Sequence, residues 1–215
     1  GDAPAYGAAQ ASESQTQTHI RRRSHTRHGC QARSAGRPHS AGRIPAVMSP
    51  RPSILVVTVV HHPHDARIRH RQINALLDAG WDVSYAAPFR GYGLALPKPA
   101  PAGRGRLRCI DLPRARGRRR VAAIRAARRL IRSGAPRHDL VLIHDADLLA
   151  AVAGLQASNI VWDVHEDTAA AVGDRPWIPS PLRSVMGWAM RQAERWAERR
   201  MPLLLAEYAY QDRFT

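Results

Sequence analysis

The sequence has few cysteines, and this shortage argues against a fold stabilised by disulfides. Its 215 residues include two cysteines, Cys30 and Cys109, without the CxxC spacing of zinc or thiol-redox motifs. A disulfide framework is therefore not expected, and a reducing compartment suits the chain. With 44% hydrophobic residues, the chain can bury one sizeable core without disulfide or metal staples.

Long apolar runs are also missing. The longest stretch without a charged residue, 148–162, is shorter than a bilayer span and contains Gln156, Ser158 and Asn159. The first residues contain no continuous apolar stretch of the kind found in signal peptides. We therefore expect a cytoplasmic protein, with peripheral attachment to the inner face of the cytoplasmic membrane as an open alternative.

Negative charge is scarce. The chain has 17 acidic and 33 basic residues, a formal net charge of +16, and Lys98 as its single lysine. Such an arginine-rich surface attracts the phosphate groups of nucleic acids, anionic lipids or nucleotides. The charge alone does not choose among these partners.

The chain changes character near Met48. Residues 1–47 are polar and basic without apolar periodicity, and they bury too little to offset the entropy of ordering. We predict a disordered tail over 1–47 and a folded domain over 48–215. Met48 is a candidate natural start, in which case the preceding residues are a tail or an upstream extension of the reading frame.

From Ser53 onward, strand and helix patterns alternate. Residues 54–60 form a continuous run that is β-branched except for Leu55, typical of a buried parallel strand. Asp65 is a candidate cap for the helix that follows, and Gly80 a candidate stop. Further strands are predicted at 81–87, 107–112, 139–144, 159–165 and 201–206, and the glycine- and proline-rich residues 90–105 predict a loop. A long helix is predicted to begin at Ser180, with apolar residues at three- and four-residue spacing on one face: Leu182, Val185, Met186, Ala189, Ala193 and Trp196. This alternation favours an α/β fold, an open parallel sheet with helices on both faces.

Polar residues follow three of these predicted strands. His61 to Asp65 follow the first strand, His144 and Asp145 the fourth, and residues 165–167 the fifth. Ligands of such sheets bind beyond the carboxyl ends of the strands. We therefore expect a binding site at this edge.

Three stretches of the chain also carry a family resemblance. In this order, "VTVVHHPHDARIRHRQINALLDAGWDVSYAA", "DLVLIHDADLL" and "IVWDVHED" resemble the amino-terminal domain of glycosyltransferase family 4 and related GT-B enzymes. The resemblance covers residues 53–215. It implies a Rossmann-like domain, the acceptor-side half of a retaining, hexosyltransferase-like enzyme that uses a nucleotide-sugar donor and needs no metal.

The same resemblance implies partners and a missing part. The acceptor would be a glycan, a lipid or a small molecule. The donor-binding domain with its paired-glutamate motif is not found before Thr215. The resemblance therefore implies a fragment, inactive alone, that needs the missing carboxyl-terminal domain or a partner supplying it.

Site residues follow from the resemblance as well. The implied catalytic residues are His144 and Asp145. The implied substrate-binding residues lie in the loop after the first strand and in the "DVHE" turn: His62, Asp65, Arg67, His165 and Glu166. Imidazole and carboxylate groups can polarise a hydroxyl group, and a guanidinium group can pair with phosphate. In the alternative interpretation, His144 and His165 are structural residues that form hydrogen bonds at strand ends.

A metal site is a weaker interpretation of the histidines. His61, His62 and His64 are too closely spaced on one turn to converge easily on one ion, and no zinc-type spacing supports them. We expect no metal.

The segment "RARGRRRVAAIRAARRLIRSG" predicts a basic amphipathic helix. Its bland interpretation is a solvated helix that covers the sheet. Its arginines are also candidates for an anionic membrane surface: Arg118, Arg119, Arg125, Arg128 and Arg129. RNA binding is a third interpretation, which the lack of interleaved aromatic residues in this run weakens.

Two alternatives to the enzyme stay open, a non-catalytic Rossmann-like binding module and a basic nucleic-acid-binding protein.

Overall fold

The computed structural model describes residues 51–164 and 180–205, with the side chains of 180 and 181 left out. These residues belong to one unit, Met48–Thr215. The predicted tail 1–47 and the site residues His165 and Glu166 lie outside the described residues, so those predictions are not tested.

Seven strands and four helices make up the described part of the chain. In chain order they are β1 (Ser53–Val57), a π-helical segment (Ala66–Ile73) continued by α1 (Asn74–Asp78), β2 (Asp82–Ala87), β3 (Ala100–Ala102), β4 (Gly105–Asp111), α2 (Arg120–Gly134), β5 (Leu140–Ile143), α3 (Asp147–Val152), β6 (Ile160–Val164), α4 (Ser180–Arg200) and β7 (Leu203–Leu205). Short 3₁₀ turns occupy Arg90–Tyr92, Gly117–Arg119 and Ala135–Arg137.

The strands form one sheet in the order β3-β4-β2-β1-β5-β6-β7. All neighbouring pairs are parallel except β3 with β4. Without β3, the parallel strands follow the order 3-2-1-4-5-6, which is that of the Rossmann fold. The predicted fold class is confirmed.

Burial explains why β1 lies at the centre of the sheet. Its residues Ile54 to Val57 are at most 1% exposed, as expected for a strand covered on both faces. Leu55 and Val57 pack in one core cluster with side chains of α2, α3 and α4. Ile54 and Val56 pack in the other with Ile68, Ile73 and Leu77 of the first helical segment.

The first helical segment begins where the sequence predicts. The Asp65 side chain accepts hydrogen bonds from the backbone N–H groups of Arg67 and Ile68, both at 2.9 Å. Its first eight residues are π-helical rather than α-helical. Gly80 follows the helix with φ +88°, a conformation that favours glycine.

Three local predictions need correction. Residues 90–105 were expected to form a loop, but they contain β3, whose Pro101 is tolerated because β3 is an edge strand. Arg118 and Arg119 lie in a 3₁₀ turn before α2 and not within the helix. The predicted apolar face of α4 packs only in its later part, because Leu182, Val185 and Met186 are exposed whereas Ala193 and Trp196 contact the core.

No helix within residues 51–164 and 180–205 is both long enough and apolar enough to cross a bilayer.

Candidate functional site

The strand order reverses between β1 and β5, the position where ligands bind in open α/β sheets. Asp145, just after β5, fills this position with its own carboxylate. That carboxylate accepts hydrogen bonds from the backbone N–H groups of Val59 and Val60, the second at 3.1 Å. It also accepts one from the Thr58 hydroxyl at 3.0–3.1 Å. His61 Nε2 lies 3.2 Å from the same carboxylate.

This arrangement closes the position at which a Rossmann fold normally meets a phosphate group. Such folds use a glycine-rich turn, so that backbone N–H groups can approach the ligand. Here residues 58–67 contain no glycine, and the carboxylate of Asp145 already holds two of the N–H groups. Asp65 likewise holds two N–H groups at the start of the following helix. Both positions are therefore occupied by the chain's own carboxylates.

A second buried carboxylate joins β6 to the first helical segment. Asp163 is fully buried and accepts hydrogen bonds from Arg67 Nη2 and Gln72 Nε2. His144 Nδ1 lies 3.4 Å from the same carboxylate, and the His144 side chain is also fully buried. The cation of Arg67 offsets the cost of burying the Asp163 charge.

The structure thus separates the predicted site residues into two groups. His144, Asp145, Asp65 and Arg67 lie at the expected sheet edge but contact other residues of the chain, which favours the structural interpretation given above for His144. His62 is exposed, and its Nδ1 accepts a hydrogen bond from the His64 backbone N–H at 3.1 Å.

His62 belongs to a row of ring-bearing and cationic side chains, which we call the ring strip: His70, His64, His62, Tyr92 and Arg114. Neighbouring rings lie 6.4 Å apart for His70 and His64, 5.7 Å for His64 and His62, and 4.7 Å for His62 and Tyr92. Arg114 ends the strip, with its Cζ 3.8 Å from the centre of the Tyr92 ring.

Hydrogen bonds fix the end of the strip near Tyr92. The Tyr92 hydroxyl donates to the Val60 carbonyl at 2.7 Å, and Ala115 N–H donates to the Val59 carbonyl at 2.8 Å. These two bonds tie the loops after β2 and β4 to the loop after β1. Because His62, Tyr92 and Arg114 come from three separate loops, the spacing along the chain gave no signal of the strip.

The strip ends at an open pocket of about 670 Å³, which we call the arginine pocket. It lies beyond the carboxyl ends of β2 and β4. Five arginines and one carboxylate supply its charges: Arg90, Arg114, Arg116, Arg118, Arg119 and Asp111. Asp111 accepts a hydrogen bond from the Arg90 backbone N–H at 2.9 Å and lies 3.8 Å from Arg90 Nε, which leaves four arginines without a carboxylate in the pocket lining.

The start of α2 adds to the positive potential of the arginine pocket. The helix has no acidic residue in its first turn and no side-chain cap, and Arg118 and Arg119 immediately precede it. Positive charge at a helix amino terminus is unfavourable because the helix dipole is positive there, and an anion offsets it.

The remaining arginines of the basic helix differ in their environments. Arg128 donates to the Ala151 carbonyl at 2.9 Å and to the Ala153 carbonyl at 2.6 Å, and so caps the end of α3. Arg125 and Arg129 are exposed. Among the arginines predicted to face a membrane, Arg128 therefore binds the end of α3, whereas Arg125 and Arg129 are open to solvent.

Two buried groups have raised pKa values. Burial raises the pKa of the Tyr85 hydroxyl, which donates to the Pro63 carbonyl at 3.2 Å. Burial also raises the pKa of the Cys109 thiol. A raised pKa makes the thiol a poor nucleophile at neutral pH. Within the part of the chain that the structure describes, no three His, Cys, Asp or Glu side chains come together as metal ligands.

Comparisons with known proteins give the chain no family. No family model matches it, and no curated protein matches it. Among solved structures it is similar to a short-chain dehydrogenase/reductase from Burkholderia vietnamiensis, at 15% identity and a TM-score of 0.38, over 76% of this chain and 90% of that one. Nothing about the activity of this chain follows from a similarity of that size.

The expected membership of glycosyltransferase family 4 is therefore wrong. No family model and no curated protein matches the chain, and the solved structure to which it is similar is named a short-chain dehydrogenase/reductase. The retaining hexosyltransferase activity and the interpretation as an inactive acceptor-side half are withdrawn with it. The expected nucleotide-sugar donor and acceptor depended on that resemblance. No observation tests them or the expected lack of a metal, which rested also on the spacing of the histidines.

Proposed function

We propose that the chain is a Rossmann-like binding module that holds a phosphate-bearing ligand in the arginine pocket. The observation that carries this proposal is the group of five arginines around one open pocket that contains a single carboxylate. Guanidinium groups form strong, often bidentate hydrogen bonds to phosphate oxygens. The internal carboxylates of Asp145 and Asp65 support the same choice, because they already accept N–H groups after β1 and at the start of the following helix, where a phosphate group would otherwise bind.

The first test is the binding of inorganic pyrophosphate, measured by isothermal titration calorimetry at low salt. The double variant Arg116→Gln, Arg118→Gln should weaken binding about tenfold, since each lost charged hydrogen bond contributes roughly 1.5–3 kcal/mol, reduced by solvent exposure. Both side chains are exposed, so the fold should be unaffected.

The matched control is Arg191→Gln, Arg195→Gln, which removes the same charge from exposed positions of α4 outside the arginine pocket. This control should bind pyrophosphate within about twofold of the unmodified chain. Equal losses in the two double variants would mean that net charge alone attracts the anion, and the proposal would fail.

A second candidate function is attachment to an anionic membrane surface through α2. Val121, Arg125 and Arg129 follow one another at four-residue spacing, and all three are exposed, Val121 to 55%. An apolar side chain beside arginines on one exposed helix face is the pattern of helices that lie at a bilayer interface. This stripe, unlike Arg128, is available to headgroups.

Sedimentation with vesicles tests the membrane candidate. The chain should pellet with vesicles containing phosphatidylserine at low salt but not with pure phosphatidylcholine vesicles. Each arginine near an anionic surface contributes about 1 kcal/mol, so Arg125→Gln, Arg129→Gln should lower the partition coefficient about tenfold or more. The Arg191→Gln, Arg195→Gln control should pellet like the unmodified chain. Pelleting that ignores lipid charge would contradict the candidate.

A further inference from the structure

We infer that the ring strip and the arginine pocket together bind single-stranded nucleic acid, with bases on the strip and phosphates in the pocket. This inference rests on the proposed function, because it names the class of phosphate-bearing ligand. It goes further in giving the histidines and Tyr92 a role in binding.

The strip has the chemistry of a base-stacking surface. His62, His64 and His70 are exposed, and nucleobases stack on imidazole rings, aromatic rings and guanidinium planes. Tyr92 is held in place at both its hydroxyl, by Val60, and its ring face, by Arg114. A surface fixed in this way loses little side-chain entropy when a base stacks on it.

Arg114 connects the two parts of the site. Its guanidinium group lies over the Tyr92 ring, and the same residue lines the arginine pocket. A strand whose bases lie along the strip therefore brings its backbone to the arginines. Nucleic-acid-binding segments often alternate aromatic and cationic residues, and the arginine-rich segment 114–134 lacks the aromatic ones. In the folded chain, the loops after β1 and β2 place rings beside these arginines.

The extent of the strip favours a polymer over a single nucleotide. Neighbouring ring centroids are 4.7–6.4 Å apart over three histidines and a tyrosine, and the ring planes are tilted by 28–70° from one another, so the row offers several separate faces and not one flat surface. One nucleotide carries one base and would leave most of these rings uncovered. Several arginines in the pocket likewise exceed what one phosphate group can contact.

Fluorescence anisotropy with a labelled single-stranded octauridylate tests the inference on the full chain. Affinity should rise by at least tenfold from uridine monophosphate, used as a competitor, to the octamer. The variant His62→Ala, His64→Ala should bind the octamer about tenfold more weakly, in line with the loss of base stacking. The variant His62→Phe, His64→Phe should bind like the unmodified chain, because the phenyl rings preserve stacking without a chargeable group.

The control variant is Trp188→Ala, which removes an exposed aromatic residue of α4 outside the strip and should leave octamer affinity unchanged. Residues 1–47 are present in every variant, so any binding by that basic segment contributes equally. Pyrophosphate titration of the His62→Ala, His64→Ala variant should give the affinity of the unmodified chain.

Several outcomes would overturn the inference. An unchanged octamer affinity in His62→Ala, His64→Ala would show that stacking on the strip contributes nothing. Equal affinity for uridine monophosphate and the octamer would make the site a mononucleotide site. Binding to phosphatidylserine vesicles without binding to the octamer would identify the headgroup as the phosphate source. In all three cases intact pyrophosphate binding would leave the proposed function standing, whereas octamer binding without pyrophosphate binding at the pocket would remove the proposed function.

Discussion

Replacing Gly105 with alanine is expected to destabilise the fold by about 3 kcal/mol or more, the upper range for forcing an extra group into a packed site. Gly105 begins β4 and is buried. A Cβ atom at this position would lie 1.9 Å from the Trp81 carbonyl oxygen and 2.8 Å from its carbon. Because these are backbone atoms leading into β2, no side-chain rotation can relieve the clash.

The matched control is Gly154→Ala. Gly154 has φ +73°, but a Cβ atom there meets no other atom within 4 Å. Only the left-handed conformation opposes this change, at a cost of about 1–2 kcal/mol. Urea unfolding followed by tryptophan fluorescence measures both variants. A loss for Gly105→Ala no larger than that for Gly154→Ala would show that the approach of β4 to Trp81 is not tight.

Much of the fold could be predicted because its signals are local. The β-branched run of β1, the Asp65 cap and the Gly80 stop each depend on a few consecutive residues, and the structure contains all three. The alternation of strands and helices then restricts the topology to an open parallel sheet. The π-helical geometry of Ala66–Ile73 carries no sequence signal of this kind and was not predicted.

The arginine pocket and the ring strip could not be predicted because their residues meet only in three dimensions. Tyr92 lies in a segment interpreted as a loop, and Arg114 lies in a run interpreted as a basic helix. Their contact depends on the pairing of β2 with β4, which brings the two following loops together. Each residue taken alone has the features of an ordinary exposed side chain.

The polar motifs at the carboxyl edge also have an explanation that needs no ligand. A buried carboxylate needs hydrogen-bond donors whether or not it contacts a ligand. Asp145 and Asp163 obtain donors from the loop after β1 and from the first helical segment. His and Asp residues after successive strands can therefore serve only to form hydrogen bonds between neighbouring loops and helices of the chain.

Because the Asp145 carboxylate binds the loop after β1, replacing Asp145 should lower the stability of the fold strongly. Asp145→Ala is expected to lower the free energy of unfolding by about 3 kcal/mol or more, because it leaves the buried N–H group of Val59 and the partly buried N–H group of Val60 without their acceptor. The Thr58 hydroxyl loses its acceptor as well. Urea unfolding at neutral pH, followed by tryptophan fluorescence, measures the loss.

The opposite end of the same strand pair provides the control. Asp139, before β5, accepts hydrogen bonds from the backbone N–H and the hydroxyl of Ser53, both at 2.8 Å, but at an exposed position. Asp139→Ala should cost far less than Asp145→Ala, because water replaces the lost carboxylate at the Ser53 N–H.

Acid adds a second check on the control. The Ser53 hydrogen bonds lower the pKa of Asp139 in the folded state, so its stabilisation is present above the unfolded pKa and is lost as the pH falls through the folded pKa. The small difference between Asp139→Ala and the unmodified chain should therefore vanish in acid. If instead Asp145→Ala and Asp139→Ala lost equal stability at neutral pH, burial of the Asp145 carboxylate would not be what stabilises the loop after β1. The position normally open to phosphate in this fold would then be less firmly closed than the geometry indicates.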